Sequence, residues 1–200
     1  MVKDIRFEKI LKGLYNELLK ANIHFKIYWE LYLASPNIAD IRNLYLSFFV
    51  YTMNGHNNIF CVALYNVVKH DSDTANFYKM FNYIKSSNSF CNLISLEEID
   101  EMESIISSHK SFIERIAIIR DQYIAHNQLN KRHLVGQAKY EYEEGKKLLI
   151  DLNDILEKLS YKYDQTRYWK DDDGLLDISP HLNIDTMLQD LYNYRKINQA

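Results

Sequence analysis

Helix breakers are scarce in this chain of 200 residues, with five glycines and two prolines. These residues end helices, so their rarity favours long ones. Cysteine is scarcer than a disulfide framework needs: Cys61 and Cys91 are alone, each in an apolar setting, and no C-x-x-C pair could hold zinc. Both are expected in the core. Basic excess is missing as well, since 24 Lys plus Arg face 27 Asp plus Glu for a net charge of −3. A general nucleic-acid binder would carry a broad positive surplus. The most apolar run, residues 44–53, is about half the ~20 residues that cross a bilayer. The opening Met1-Val2-Lys3-Asp4-Ile5-Arg6 has no apolar stretch of the signal-peptide kind, so a cytosolic protein without membrane contact is expected.

What is present is globular. Apolar residues make up 47% and charged residues 26%, enough to bury a core without a disulfide or structural metal. Tyrosine is abundant at 16 copies, which suits interior faces whose edges reach water, or surfaces that meet partners.

Periodicity predicts an all-α fold. Phe7, Leu11, Leu14, Leu18, Ala21, Phe25, Tyr28 and Tyr32 alternate spacings of four and three, one apolar seam that Ser35-Pro36-Asn37 ends. A second helix is expected over 38–69, apolar on nearly all sides from 44 to 64 and therefore the central buried one. Gly55-His56-Asn57-Asn58 interrupts it with a face for solvent or a subunit interface. His70-Asp71-Ser72-Asp73-Thr74 signals a turn before a shorter helix over 74–85, and 86–95 reads as loop. One or two helices fill 96–125, with Phe112, Ile116, Ile119 and Tyr123 on one face. Another spans 134–161 and turns Leu148, Leu149, Leu152, Ile155, Leu156 and Leu159 inward. An acidic loop at 170–174 and a short helix over 185–194 close the chain. No strand pair or phosphate loop is evident. Four long helices with short connections predict an antiparallel up-down bundle over 1–161, with 162–200 packing on the same domain.

One heptapeptide carries chemistry: Arg120-Asp121-Gln122-Tyr123-Ile124-Ala125-His126. An arginine, a polar residue directly after it and a histidine six positions on, at a helix end in an all-α domain, resemble the hallmark of the HEPN superfamily. The flanking residues are similar to its abortive-infection AbiU-like branch. The order of elements supports this over roughly the first 160 residues: a long aromatic first helix, an apolar helix closing at His70-Asp71, then the motif helix.

These residue types suit RNA cleavage without a metal or other cofactor. Histidine titrates near neutrality and can take the 2′-hydroxyl proton or protonate the leaving group. Arginine stays charged and offers a planar fork to phosphate oxygens. On an ideal helix, six residues at ~100° set Arg120 and His126 about 120° apart, so they share no face. Either the helix ends near Ala125 and His126 swings back, or each residue faces a second subunit. The resemblance implies a homodimer with two motifs lining one cleft. It also implies a role for Asp121 in orienting Arg120 or His126; the simpler alternative is a solvated carboxylate paired with Arg120 or a lysine.

Asn127 is a candidate phosphate contact or a helix-end residue satisfying loose carbonyls. Tyr123 either stacks on a base or packs with Phe112, Ile116 and Ile119. Lys131 and Arg132 either hold the RNA backbone or lie in a solvated basic loop; with Lys110, Arg115 and Arg120 they form the local basic patch that RNA contact requires. Asp171-Asp172-Asp173-Gly174 lacks the spacing of a calcium loop and reads as an acidic turn. His24, His56, His70, His109 and His181 have no partner at a metal-binding spacing. The resemblance implies an RNA endonuclease acting as a toxin or anti-phage effector, restrained by an antitoxin or sensor protein, with no DNA substrate. The alternative keeps the fold without catalysis, as a helical dimer that binds RNA, nucleotide or protein.

Overall fold

The computed structural model describes residues 4–33, 36–70, 74–87, 90, 93–121, 139–176 and 187–193. Among them the chain is helical, with no β-strand: α1 (Ile5–Tyr32), α2 (Pro36–Leu44), α3 (Leu46–Val68), α4 (Phe77–Ser86), α5 (Leu96–Ser108), α6 (Lys110–Arg120), α7 (Tyr142–Asp164) and a short α8 at 187–193. This is the all-α bundle that the periodicity predicts.

Caps set the ends. Asp4 accepts the amides of Arg6 and Phe7 at 3.0 Å each to start α1, and Ser95 with Glu98 makes a capping box for α5. Pro36 occupies the first position of α2, where its missing N–H costs nothing.

Cross-helix pairs show the direction of packing. On α1 and α3, Glu17 meets Asn66 while His24 meets His56. Phe7 and Phe25 of α1 meet Tyr163 and Tyr142 of α7. Glu98 of α5, His109 at the α5–α6 joint and Arg115 of α6 meet Lys162, Asp151 and Glu144 of α7. Each series runs in opposite senses on the elements it joins, so α3 is antiparallel to α1, α7 to α1, and α5 with α6 to α7.

The seam of α1 is buried as predicted from Phe7 to Phe25, but then passes to Trp29 and leaves Tyr32 exposed. An uncoiled helix turns every 3.6 residues, so a stripe drawn at 3.5 drifts off the core after several turns. All six predicted inward residues of α7 are buried.

The second predicted helix needs correction. Tyr45 breaks it with ψ at 36°, although Tyr45 N–H still bonds Ile41 O and Phe49 N–H bonds Tyr45 O, both at 3.1 Å. It is a kink between α2 and α3, not a loop. Nor is the whole of α3 central: Phe60, Cys61, Ala63, Leu64, Val67 and Val68 are buried, whereas Phe48 is 65% and Tyr51 78% exposed. Among the described residues, Phe49 in the first turns of α3 packs in a satellite cluster with Leu31, Ile41 and Leu188. Residues 43–68 hold no Asp, Glu, Lys or Arg, so this exposed face is uncharged as well as apolar. Cys61 is buried in the core, and that burial pushes its thiol up to about 12, disfavouring the thiolate; Cys91 lies outside the described residues.

Gly145, inside α7, lies close against α1. A Cβ there would sit 2.5 Å from Cε2 of Phe25, whose ring is held by Phe60 and Tyr142. Alanine favours a helix by about 1 kcal/mol over glycine, while overpacking costs about 1–3 kcal/mol. Gly145→Ala is therefore expected to melt roughly 2–4 °C below the parent despite its better helix propensity; a higher melting temperature would show that Phe25 yields freely.

Candidate functional site around Arg120

The motif begins where α6 runs out. Phe112, Ile116 and Ile119 are buried and fasten α6 to the bundle, which leaves Arg120, its last residue, at the solvent edge. The guanidinium carbon lies 3.7 Å from the centre of the Tyr65 ring on α3. Asp121 caps α6 and accepts from Arg120 Nε at 2.8 Å, and from Nη2 through the same Oδ1. The Arg120 side chain is 26% exposed and that of Asp121 58%. Stacking below and a carboxylate alongside hold one planar cation at the surface. The pairing of Asp121 with Arg120 is compatible with both readings of Asp121.

Tyr123, His126, Asn127, Lys131 and Arg132 lie outside the described residues, so the distance from Arg120 to the imidazole is not part of this geometry. The predicted basic patch is partly neutralised. Lys110 lies 3.9 Å from Glu114, Arg115 pairs with Glu144, and Arg120 pairs with Asp121.

The chain also belongs to a family on sequence grounds. A family model described as AbiU2, of the HEPN type, matches residues 4–177. The chain is an AbiU2-family HEPN protein. No curated protein and no solved structure matches it. The AbiU2 match runs from the cap of α1 through α7 to just past Leu176, which forms a single antiparallel bridge with Lys170.

That bridge closes the acidic turn. Asp171 accepts the amides of Asp173 and Leu175 at 3.0 and 2.9 Å, Lys26 reaches Asp171 at 3.0 Å, and Lys146 reaches Asp173 at 2.6 Å. These carboxylates serve the turn and its lysines. Among the described residues, no three or more His, Cys, Asp or Glu side chains are grouped to hold a metal ion, and no helix is long and apolar enough to cross a membrane.

One polar pair escaped the sequence. His24 of α1 and His56 of α3 share a hydrogen bond between their Nδ1 atoms, 2.7 Å apart. The one available signal was the polar break around His56 in an otherwise apolar stretch. Burial, then His56, then Lys20 pull His24 down to about 4, and burial lowers His56 as well. Both rings thus resist protonation when folded. The unfolded chain binds more protons below the ordinary value near 6.5, so this stability is present above that pH and drains as pH falls towards about 4. Melting temperature is expected to drop over that window, and His24→Asn to flatten the slope. Equal slopes in parent and variant would remove the pair as the cause.

Proposed function

We propose that this AbiU2-family protein is a metal-independent RNA endonuclease of abortive infection, whose cleft forms when two copies bring their motifs together. The observation that carries this reading is the surface guanidinium of Arg120, held flat by Tyr65 and Asp121 beside the start of the motif. A fixed cation of that kind can meet the charge that builds on phosphorus without reorganising. His126 takes the proton from the ribose 2′-hydroxyl; O2′ then bonds to phosphorus and the P–O5′ bond breaks. The proton now on the imidazolium goes to the departing O5′, leaving a 2′,3′-cyclic phosphate and a 5′-hydroxyl. Tyr123, Asn127, Lys131 and Arg132 are the RNA contacts, and an antitoxin or sensor protein restrains the cytosolic enzyme. The uncharged, exposed face over residues 44–51, from the end of α2 into the first turns of α3, supports the homodimer, because such a face is costly to leave in water.

A second reading, a non-catalytic dimer that binds RNA, nucleotide or protein, is favoured by the carboxylates that already engage Lys110, Arg115 and Arg120. One assay separates them. Labelled RNA is incubated with the protein in excess EDTA, alongside Arg120→Ala and His126→Ala. Cyclic-phosphate ends lost in both variants support the nuclease; binding without cleavage, unchanged in His126→Ala, supports the second reading. Solution mass tests the cleft, since a clean monomer at micromolar concentration removes it.

A further inference from the structure

Gly55 has no cause among the described residues of its own chain. Gly13 and Gly145 also lie inside helices, and there a Cβ would sit 2.5 Å from Ala75 Cβ or from the Phe25 ring. At Gly55, inside α3, a Cβ would meet nothing within 4 Å. Glycine weakens a helix relative to alanine, so one that no neighbour in the chain requires points to a close approach from outside it.

Its surroundings are those of an interface. At ~100° per residue, Phe48, Tyr51, Gly55 and Ile59 fall within about 80° of one another on α3, and all four are exposed. The other side of the helix is spent on the bundle, where His56 meets His24 and Phe60 meets Phe25. The stripe carries no charge, since residues 43–68 hold no Asp, Glu, Lys or Arg. It therefore offers a charged partner no ion pair and an anionic lipid surface no cation. A second α3 fits it: large side chains on either side of a glycine leave a gap for the same glycine of a two-fold mate. Phe48, Tyr51 and Ile59 leave roughly 400 Å² in water, about half of the ~800 Å² per subunit in a standard dimer, and Leu44 and Tyr45 extend the apolar surface.

We propose that the homodimer forms by α3 packing in parallel on the partner's α3, the two helices crossing at Gly55. This rests on the dimer that both functional readings share. The sense of the crossing decides whether a common cleft exists. Tyr65, on which the Arg120 guanidinium rests, lies ten residues beyond Gly55, a rise of about 15 Å. Parallel helices about 8–10 Å apart and crossing at about 50° hold the two Tyr65 levels roughly 15 Å apart, whereas an antiparallel pair parts them by about 30 Å. Only the parallel crossing sets both Arg120 side chains at one end of the dimer.

Sedimentation of the full chain at micromolar concentration tests it. The parent is expected to be a dimer. Gly55→Leu is expected to weaken dimerisation at least about 100-fold yet still melt cooperatively, because its Cβ enters open space in its own chain. In a Cys91→Ser background, with Cys61 buried, Phe48→Cys is expected to cross-link to itself through a short bismaleimide, as parallel helices require. A monomeric parent overturns the proposal and leaves the stripe to a different protein. So does a dimer that Gly55→Leu leaves intact, or a Phe48→Cys chain that links only to a Val62→Cys chain, the antiparallel pairing. RNA cleavage in excess EDTA is read on the same samples. Cleavage by a Gly55→Leu monomer would keep the interface and remove the shared cleft; cleavage by a dimer indifferent to Gly55→Leu would remove the interface and keep the nuclease.

Discussion

Arg120→Ala is expected to slow RNA cleavage by about 10²- to 10³-fold, the usual loss when one preorganised donor to a developing oxyanion is removed. Its folding should barely change. The side chain is a quarter exposed, and what it contributes to stability is a contact with the Tyr65 ring and an ion pair at the surface. Each is worth about 1 kcal/mol or less. A large kinetic effect without a matching fall in melting temperature would set a catalytic arginine apart from a structural one.

The neighbours sharpen the test. Arg120→Lys keeps the charge but not the planar fork, and should recover little activity. Asp121→Asn loosens the hold on Nε and Nη2, and Tyr65→Leu removes the ring beneath the guanidinium. In the proposed site both position Arg120, so both variants are expected to lower kcat more than they raise KM, whereas Tyr65→Phe keeps the ring and the rate. Full activity in Arg120→Ala would remove Arg120 from the catalytic machinery.

The second large effect concerns folding. Asn153→Ala is expected to destabilise the protein by about 2–4 kcal/mol, or roughly 5–15 °C in melting temperature for a chain of this size. Asn22 of α1 and Asn153 of α7 are both fully buried and exchange hydrogen bonds at 3.0 and 3.1 Å. Asn22 also donates to Leu18 O at 2.7 Å and accepts from the Leu176 amide at 3.1 Å, while Asn153 donates to Gly174 O at 3.2 Å. One amide pair therefore ties two helices and the acidic turn together.

Truncating Asn153 strands one Asn22 donor and the Gly174 carbonyl, and leaves a cavity. Asn153→Leu fills the space but strands the same groups, so comparing the two variants separates void from unmet polarity. A melting temperature within about 2 °C of the parent for both would mean that water takes over these bonds.

Both predictions rest on contacts that differ in how readable they were. The inward face of α7 follows from leucines and isoleucines at helical spacing, and all of them are buried. Asn153 sits among them as a polar residue with no visible reason, because its partner is 131 positions away. Arg120 and Asp121 are adjacent in the chain, so their pairing was open to anticipation; Tyr65 was not, since only the crossing of α6 over α3 brings it there. The same limit explains the misreading of α3. An all-round apolar stretch looks like a central helix, but whether another element covers it depends on where the bundle stops.

The sequence by itself determined which segments are helices, which of their faces are apolar, and that an arginine, an acid and a histidine follow one another in the manner of HEPN proteins. Those properties are local: they depend on residues a few positions apart and on a fixed period of 3.6. Tertiary structure alone decided that Arg120 rests on Tyr65, that His24 meets His56, and that Asn22 meets Asn153. Each depends on the register and crossing angle of two packed helices, which many side chains set together and no single stretch of sequence encodes.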